Sequence, residues 1–330
     1  MRLGVVLAIG LGLAVATTVA ALVGFSAVFA AVQRVGPVGL AVLCAYSAAP
    51  FVLLGTAWFA LFNPARARQW PVFIWGRIIR DSAGELLPFS QLGGFVIGAR
   101  AVIERGVAPT VAFSTTVVDI TTELIAQLGF TGLGVGLLVM RLGAPGSDSA
   151  LLAAAVIGLG LSIAGAVVFI AFQRRGGGMI ERLTARFLPG AATQTALVIQ
   201  AIDGIYRRPV RIAVAVAVHL CAWVASAVGI WLALHAAGVE IDLSAVLAIE
   251  SLVGAVRSAA FVAPMGIGVQ EASYALLGPV FGVGPELSLA ISLLKRARDL
   301  VIGAPALLTW QGLEGARLIA RNRAAGTDPG

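Results

Sequence analysis

Six stretches of this chain are apolar over the roughly 20 residues that a helix needs to cross a bilayer: 4–24, 37–61, 107–140, 150–172, 210–236 and 286–312. Backbone groups in hydrocarbon must be satisfied within the chain, so such runs are expected as helices. The composition agrees. The 330 residues are 59% hydrophobic and only 12% charged, where a soluble domain carries about 25%. Mean hydropathy is +0.97. A polytopic helical membrane protein follows. The run 107–140 is too long for one straight crossing and must tilt, kink or project. The run 4–24 follows Arg2 in the manner of a secretory leader. Its length and the later spans favour an uncleaved first helix.

The formal charge of +7 would suggest nucleic acid in a soluble chain. Here the arginines lie in loops between apolar runs, where they act as a topology signal, and nucleic acid is not expected as a partner. Cys44 and Cys221 fall in apolar runs and read as packing residues. With two histidines, no CxxC and no HExxH, neither a metal site nor a cofactor is expected.

Of the 23 basic residues, 17 fall in 62–80, 99–106, 173–211 and 313–330 or at Arg2. The loops 25–36, 141–149 and 237–243 hold Arg34 and Arg141. The positive-inside rule then puts both termini and the 173–211 loop in the cytoplasm of a bacterial inner membrane protein. Stretches 25–36 and 181–207 read as surface helices, the second with Leu183, Phe187, Leu197, Ile202 and Ile205 on its apolar face.

Two further apolar regions, 73–98 and 243–282, are broken in the same chemical way. The first contains Gly84-Glu85-Leu86-Leu87-Pro88-Phe89-Ser90-Gln91-Leu92-Gly93-Gly94. The second contains Pro264-Met265-Gly266-Ile267-Gly268-Val269-Gln270-Glu271. Irregular backbone at membrane depth survives only where protein buries it or where it lines a wet cavity. The flanks of 73–98 are both basic, so that region must enter and return from one side. The region 243–282 must do so from the other. The expected architecture is all-α: one transmembrane domain over 1–330, made of two inverted repeats, 1–149 and 150–330. Each repeat has three spans and one re-entrant hairpin, or two short spans in the hairpin's place with the same loop sides.

A charge at the bilayer centre costs about 2.5–3.5 kcal/mol on insertion scales, so each is a candidate site residue. Ten in the apolar regions are taken as candidates: Glu85, Asp119, Glu123, Glu250, Arg257, Glu271, Lys295, Arg296, Arg298 and Asp299. Asp119 and Glu123 share a helix face, with Thr115, Thr116 and Thr122 nearby, and so do Lys295, Arg298 and Asp299. The two clusters are expected to meet at the repeat interface. Two readings stay open: a buried ion-pair network that locks the halves together, or a polar seam for a lipid headgroup with cations available to phosphate. Arg257 is expected to pair with Glu250 two turns earlier. Glu85 and Glu271 read either as caps of half-helices or, with Pro88, Gly93, Gly94, Pro264, Gly266 and Gly268, as a substrate seat. His219 and His235 read as packing residues.

The stretch from Glu85 to Gly94, the stretch from Pro264 to Glu271 and Lys295-Arg296 together resemble the flippase-like family that includes the transmembrane region of lysylphosphatidylglycerol synthase. Within it the chain looks most like membrane proteins associated with hopanoid biosynthesis. Met265 and Val269-Gln270 interrupt the common glycine-rich form of the second motif. The resemblance implies translocation or export of a lipid, with a hopanoid or another polar-headed lipid as substrate, and no metal. Lysyl-transferring members carry a further cytoplasmic catalytic domain. None follows here, so synthase activity and enzymatic function are not expected. No GxxxxGK[ST] is present, so transport is expected to be passive, ion-coupled or driven by a partner. The alternatives are an intramembrane enzyme acting on a lipid-linked substrate and a scaffold for lipid-synthesis or transport proteins.

Overall fold

The computed structural model describes residues 17, 18, 21, 25–62, 64–87, 90–142, 149–175, 192–260 and 264–325. The first apolar run, 4–24, lies almost wholly outside them, as do Leu183, Phe187 and Pro88. Eleven α-helices are described. They are α1 Phe25–Tyr46, α2 Ala48–Ala60, α3 Trp70–Leu86 and α4 Ser90–Ile103. Then come α5 Pro109–Leu142, α6 Ser149–Arg175, α7 Ala192–Tyr206 and α8 Pro209–Ala236. The last three are α9 Leu243–Ala259, α10 Val269–Leu277 and α11 Pro285–Ala325. There is no strand among the described residues. Three helical stretches are long and apolar enough to cross a membrane: Phe25–Ala60, Pro109–Leu142 and Pro209–Ala236. The chain is an all-α polytopic membrane protein.

The stretch 25–36 does form a helical segment of its own, since α1 breaks at Gly36, although Phe25–Ala60 as a whole is a 36-residue apolar stretch. Its bend falls at Gly36, whose φ of 56° suits glycine, ahead of Pro37, which has no N–H to donate. One expectation changes here. The run 286–312 lies inside α11, yet it is not among the helices apolar enough to cross by composition, because Lys295, Arg296, Arg298 and Asp299 interrupt it.

Both broken regions form helical hairpins. In the first, α3 and α4 fold back on each other through glycines. A Cβ at Gly94 would lie 2.6 Å from the Arg80 carbonyl oxygen, and one at Gly98 2.6 Å from Arg80 Cβ. Gly94 and Gly98 are four apart, the small-residue spacing that lets membrane helices approach closely. The arms hold 17 and 14 residues. In the second hairpin α9 holds 17 and α10 only 9. Every arm falls short of the roughly 20 residues of a full crossing.

The core forms around α8, which packs on α1, α2, α5 and α9, while α11 packs on α1, α3 and α10. The main apolar cluster joins Phe130 and Leu138 of α5, Ile230 and Leu234 of α8, Ile249 and Val253 of α9 and Tyr274 of α10. A second cluster holds Trp58, Phe62 and Phe73. The outermost helix, α6, exposes Val156, Ile157, Ile163, Val167, Val168 and Phe169, a surface suited to acyl chains. In α7, Ile202 and Ile205 turn inward onto Leu61, Val118 and Ala215, while Leu197 stays exposed.

Candidate functional site

The polar groups buried by this fold gather in three places. In the first, α3 presents Arg77, Arg80 and Asp81 at spacings of three and four, which puts all three on one face. Arg77 reaches Glu123 at 2.5 and 3.0 Å, Asp119 at 3.4 Å and Asp81 at 2.9 Å. Arg80 reaches Asp119 at 2.5 Å and Glu123 at 2.6 Å, and its guanidinium lies 4.3 Å over the Phe95 ring. From α8, His219 Nε2 lies 3.0 Å from Asp119 Oδ1. Asp119 and His219 are wholly buried.

This arrangement corrects the sequence reading twice. Asp119 and Glu123 pair with the first hairpin and not with the cations of α11. Arg77 and Arg80, read as loop charges, are 4% and 3% exposed, because two carboxylates hold them inside. Without them the basic loops still hold 15 of the 23 cations. Arg77, Arg80, Asp81 and His219 were missed as site residues. The available signal was the spacing of Arg77, Asp81 and Glu85, which repeats every four residues along one apolar helix.

The second place is the break of the second hairpin. Met265, Gly266 and Gly268 have φ of 57°, 59° and 81°. A left-handed conformation is costly for Met265, and Arg296 braces it by donating to the carbonyls of Met265 and Gly266, both at 3.3 Å. Glu271 accepts the Gly268 N–H at 2.8 Å, so it caps α10, and it also takes Arg296 at 2.5 and 3.1 Å. The Ser292 hydroxyl adds a bond at 3.3 Å. Nearby, Glu250 accepts from Lys295 at 2.6 Å and from the Tyr274 hydroxyl.

The third place joins the hairpin tips. Arg257 Nη2 lies 2.7 Å from both Glu85 oxygens. The expected partner, Glu250, is instead taken by Lys295 and Tyr274, so the nearest acid in sequence is not the nearest in space. Gly266 lies against the same guanidinium, since a Cβ there would be 3.2 Å from Arg257 Nε. Arg298 pairs with Asp299 at 2.5 Å. Glu85 and Arg257 are each 21% exposed here and Arg296 is 23% exposed, as open as the Asp81 rim of the first set at 24%. Gly93 is half-buried, while Gly94 packs on α3. Pro264 opens a single 3-10 turn, Pro264–Gly266, and Pro88 lies outside the described residues.

An integral membrane protein whose interior charges are gathered between two broken helical hairpins is thus defined. The chain belongs to the family of the lysylphosphatidylglycerol synthase TM region, whose sequence profile matches residues 3–306. No curated protein and no solved structure matches it. Membership places the chain among membrane proteins of lipid-related processes.

Proposed function

We propose that this protein moves a polar-headed lipid between membrane leaflets, a hopanoid derivative or a lipid with a comparable head, and that it does so without chemical change to the lipid. The observation that carries the reading is the meeting of the two hairpin tips at Glu85 and Arg257, partly open within the helical bundle. A headgroup needs polar partners at depth while its tails remain in hydrocarbon. Arg257, Arg296 and Arg298 offer donors to an anionic or hydroxylated head, and Gly266 gives it room beside the backbone. The exposed apolar side of α6 suits acyl chains. The bacterial inner membrane, with both termini in the cytoplasm, fits the arginine distribution. Partner proteins of lipid synthesis or transport would supply substrate.

The test is a leaflet-sidedness assay with purified protein in vesicles holding a fluorescent phosphatidylglycerol. Translocation above that of empty vesicles, reduced by Arg257→Ala, is the expected result. Equal rates in loaded and empty vesicles, for this probe and for a hopanoid probe, would sink the reading. Mass spectrometry of the recovered lipid checks the second half: a changed lipid would point to an enzyme.

A further inference from the structure

The first charge cluster contains a group that the headgroup seat does not use. His219 lies near the middle of α8, wholly buried, with Nε2 on Asp119 Oδ1. Asp119 Oδ2 accepts from Arg80 at 2.5 Å and from Arg77 at 3.4 Å. The other ring nitrogen, Nδ1, is buried and has no hydrogen-bond partner among the described residues. Two more buried polar atoms in that condition lie along the same pair of helices. Gln127 Oε1 is on α5, one turn beyond Glu123, and Trp223 Nε1 is on α8, one turn beyond His219. Buried polar atoms are hydrogen-bonded in roughly 90% of cases, so His219 Nδ1 and Trp223 Nε1, on the helix that packs on α5, mark a polar seam, and the Gln127 amide extends it toward Gly254 of α9.

Charge counting points the same way. Asp81, Asp119 and Glu123 face Arg77 and Arg80, three carboxylates against two guanidiniums. One proton on His219 makes the set neutral, and an uncompensated charge at such depth is costly. The other elements packed on α8 bring little that could substitute. Helix α2 has no ionisable residue, α1 has Arg34, Cys44 and Tyr46, α7 has Asp203 and Tyr206, and α9 has Glu250 and Arg257. Among the described residues, Asp119 is the group hydrogen-bonded to His219.

We infer that Asp119 and His219 form a proton-binding site, reached from Nδ1, whose occupation tightens the first hairpin on α5. A proton taken from water at Nδ1 converts the neutral ring to imidazolium. That cation balances the one carboxylate charge that the two arginines leave over. Loss of the proton to water restores the neutral ring and leaves the set with an excess negative charge. The hairpin's grip on α5 therefore follows the proton. The use of this proton to drive lipid movement rests on the transport reading; the binding of the proton does not.

The test has two arms. The chain has two histidines, so His235→Asn leaves His219 as a single ring for nitrogen NMR of histidine-labelled protein in nanodiscs. Across a series of pH values, its two nitrogens are expected to pass from a neutral tautomer to imidazolium. A ring that keeps one protonation state throughout overturns the inference. In vesicles with fluorescent phosphatidylglycerol, an imposed pH gradient is expected to change the translocation rate several-fold in wild type and in His235→Asn. The ratio of rates with and without the gradient should fall to one in His219→Gln. A His219→Gln protein that keeps the wild-type ratio overturns the coupling. If wild type moves no lipid at any pH, the transport reading fails while the NMR arm still decides the proton site. That arm also decides it if His219→Gln does not fold.

Discussion

The two hairpins carry their charges with opposite signs. In the first, the cations Arg77 and Arg80 stand on the hairpin, and the acids Asp119 and Glu123 stand on the long helix that follows it. In the second, the acids Glu250 and Glu271 stand on the hairpin, and Lys295 and Arg296 stand on the long helix that follows. Depth differs too. The first set centres on Asp119, with no exposure at all, whereas Lys295 and Arg296 keep 14% and 23% of their side chains open. The first set is doubly cross-linked by each arginine around a wholly buried centre, and its rim at Glu123 and Asp81 is 17% and 24% exposed. The second braces an irregular backbone and lies beside the opening at the tips. The difference separates a set that holds helices together from a set that can meet a ligand.

The largest break in that contrast comes from Asp119→Ala. It leaves the buried Arg80 and Arg77 short of a partner and should cost about 3–5 kcal/mol, read as a collapse of thermal stability in detergent. The matching change in the second set, Glu250→Ala, should cost less, about 1–3 kcal/mol, because Lys295 can turn toward its open side. Equal losses would erase the difference in depth. Next is Gly94→Ala, whose new methyl group would meet the Arg80 carbonyl. Overpacking there should cost about 1–3 kcal/mol, and Gly93→Ala should be milder. Both are measurable by the same melts. Smaller still is the gap between Glu271→Gln and Glu271→Ala. The amide still accepts the Gly268 N–H, so the alanine variant should lose about 1 kcal/mol more, the worth of a helix cap.

The smallest stability effect is expected at Glu85→Ala, about 0–1 kcal/mol, since this pair is partly open. Its effect on lipid movement should be the larger one. The reversed pair, Glu85→Arg with Arg257→Glu, should recover much of the wild-type rate in the vesicle assay. If Glu85→Ala instead melts as early as Asp119→Ala, the tips are scaffolding and the contrast between the two regions fails.

Much of the architecture was legible because lipid restricts backbone so severely. The helices at 109–142 and 209–236 fall where the apolar runs 107–140 and 210–236 placed them. The hairpins fall where proline and glycine broke the runs. The partners of the charges were not legible, for a physical reason. A sequence shows which residues share a helix face, as Asp119 and Glu123 do, but not which helix lies opposite. Arg77 and Arg80 border a polar stretch and read as solvated until their carboxylates are seen. Arg257 and Glu250 are seven apart and could share a face, yet a partner 172 residues away holds the guanidinium. His219 gave no signal beyond its solitude.

Helix α11 runs for 41 residues, about 60 Å. At one end Lys295 and Arg296 grip the second hairpin. Further along, Gly303 seats against Ser82 and Leu86, Trp310 bonds Glu104, and Glu314 pairs with Arg100, so the same rod also grips the first. Pro305 sits among these later grips and leaves the Val301 carbonyl without its helical donor. The rod therefore lacks one backbone bond between its grips, and each hairpin feels the other through a shared crossbar.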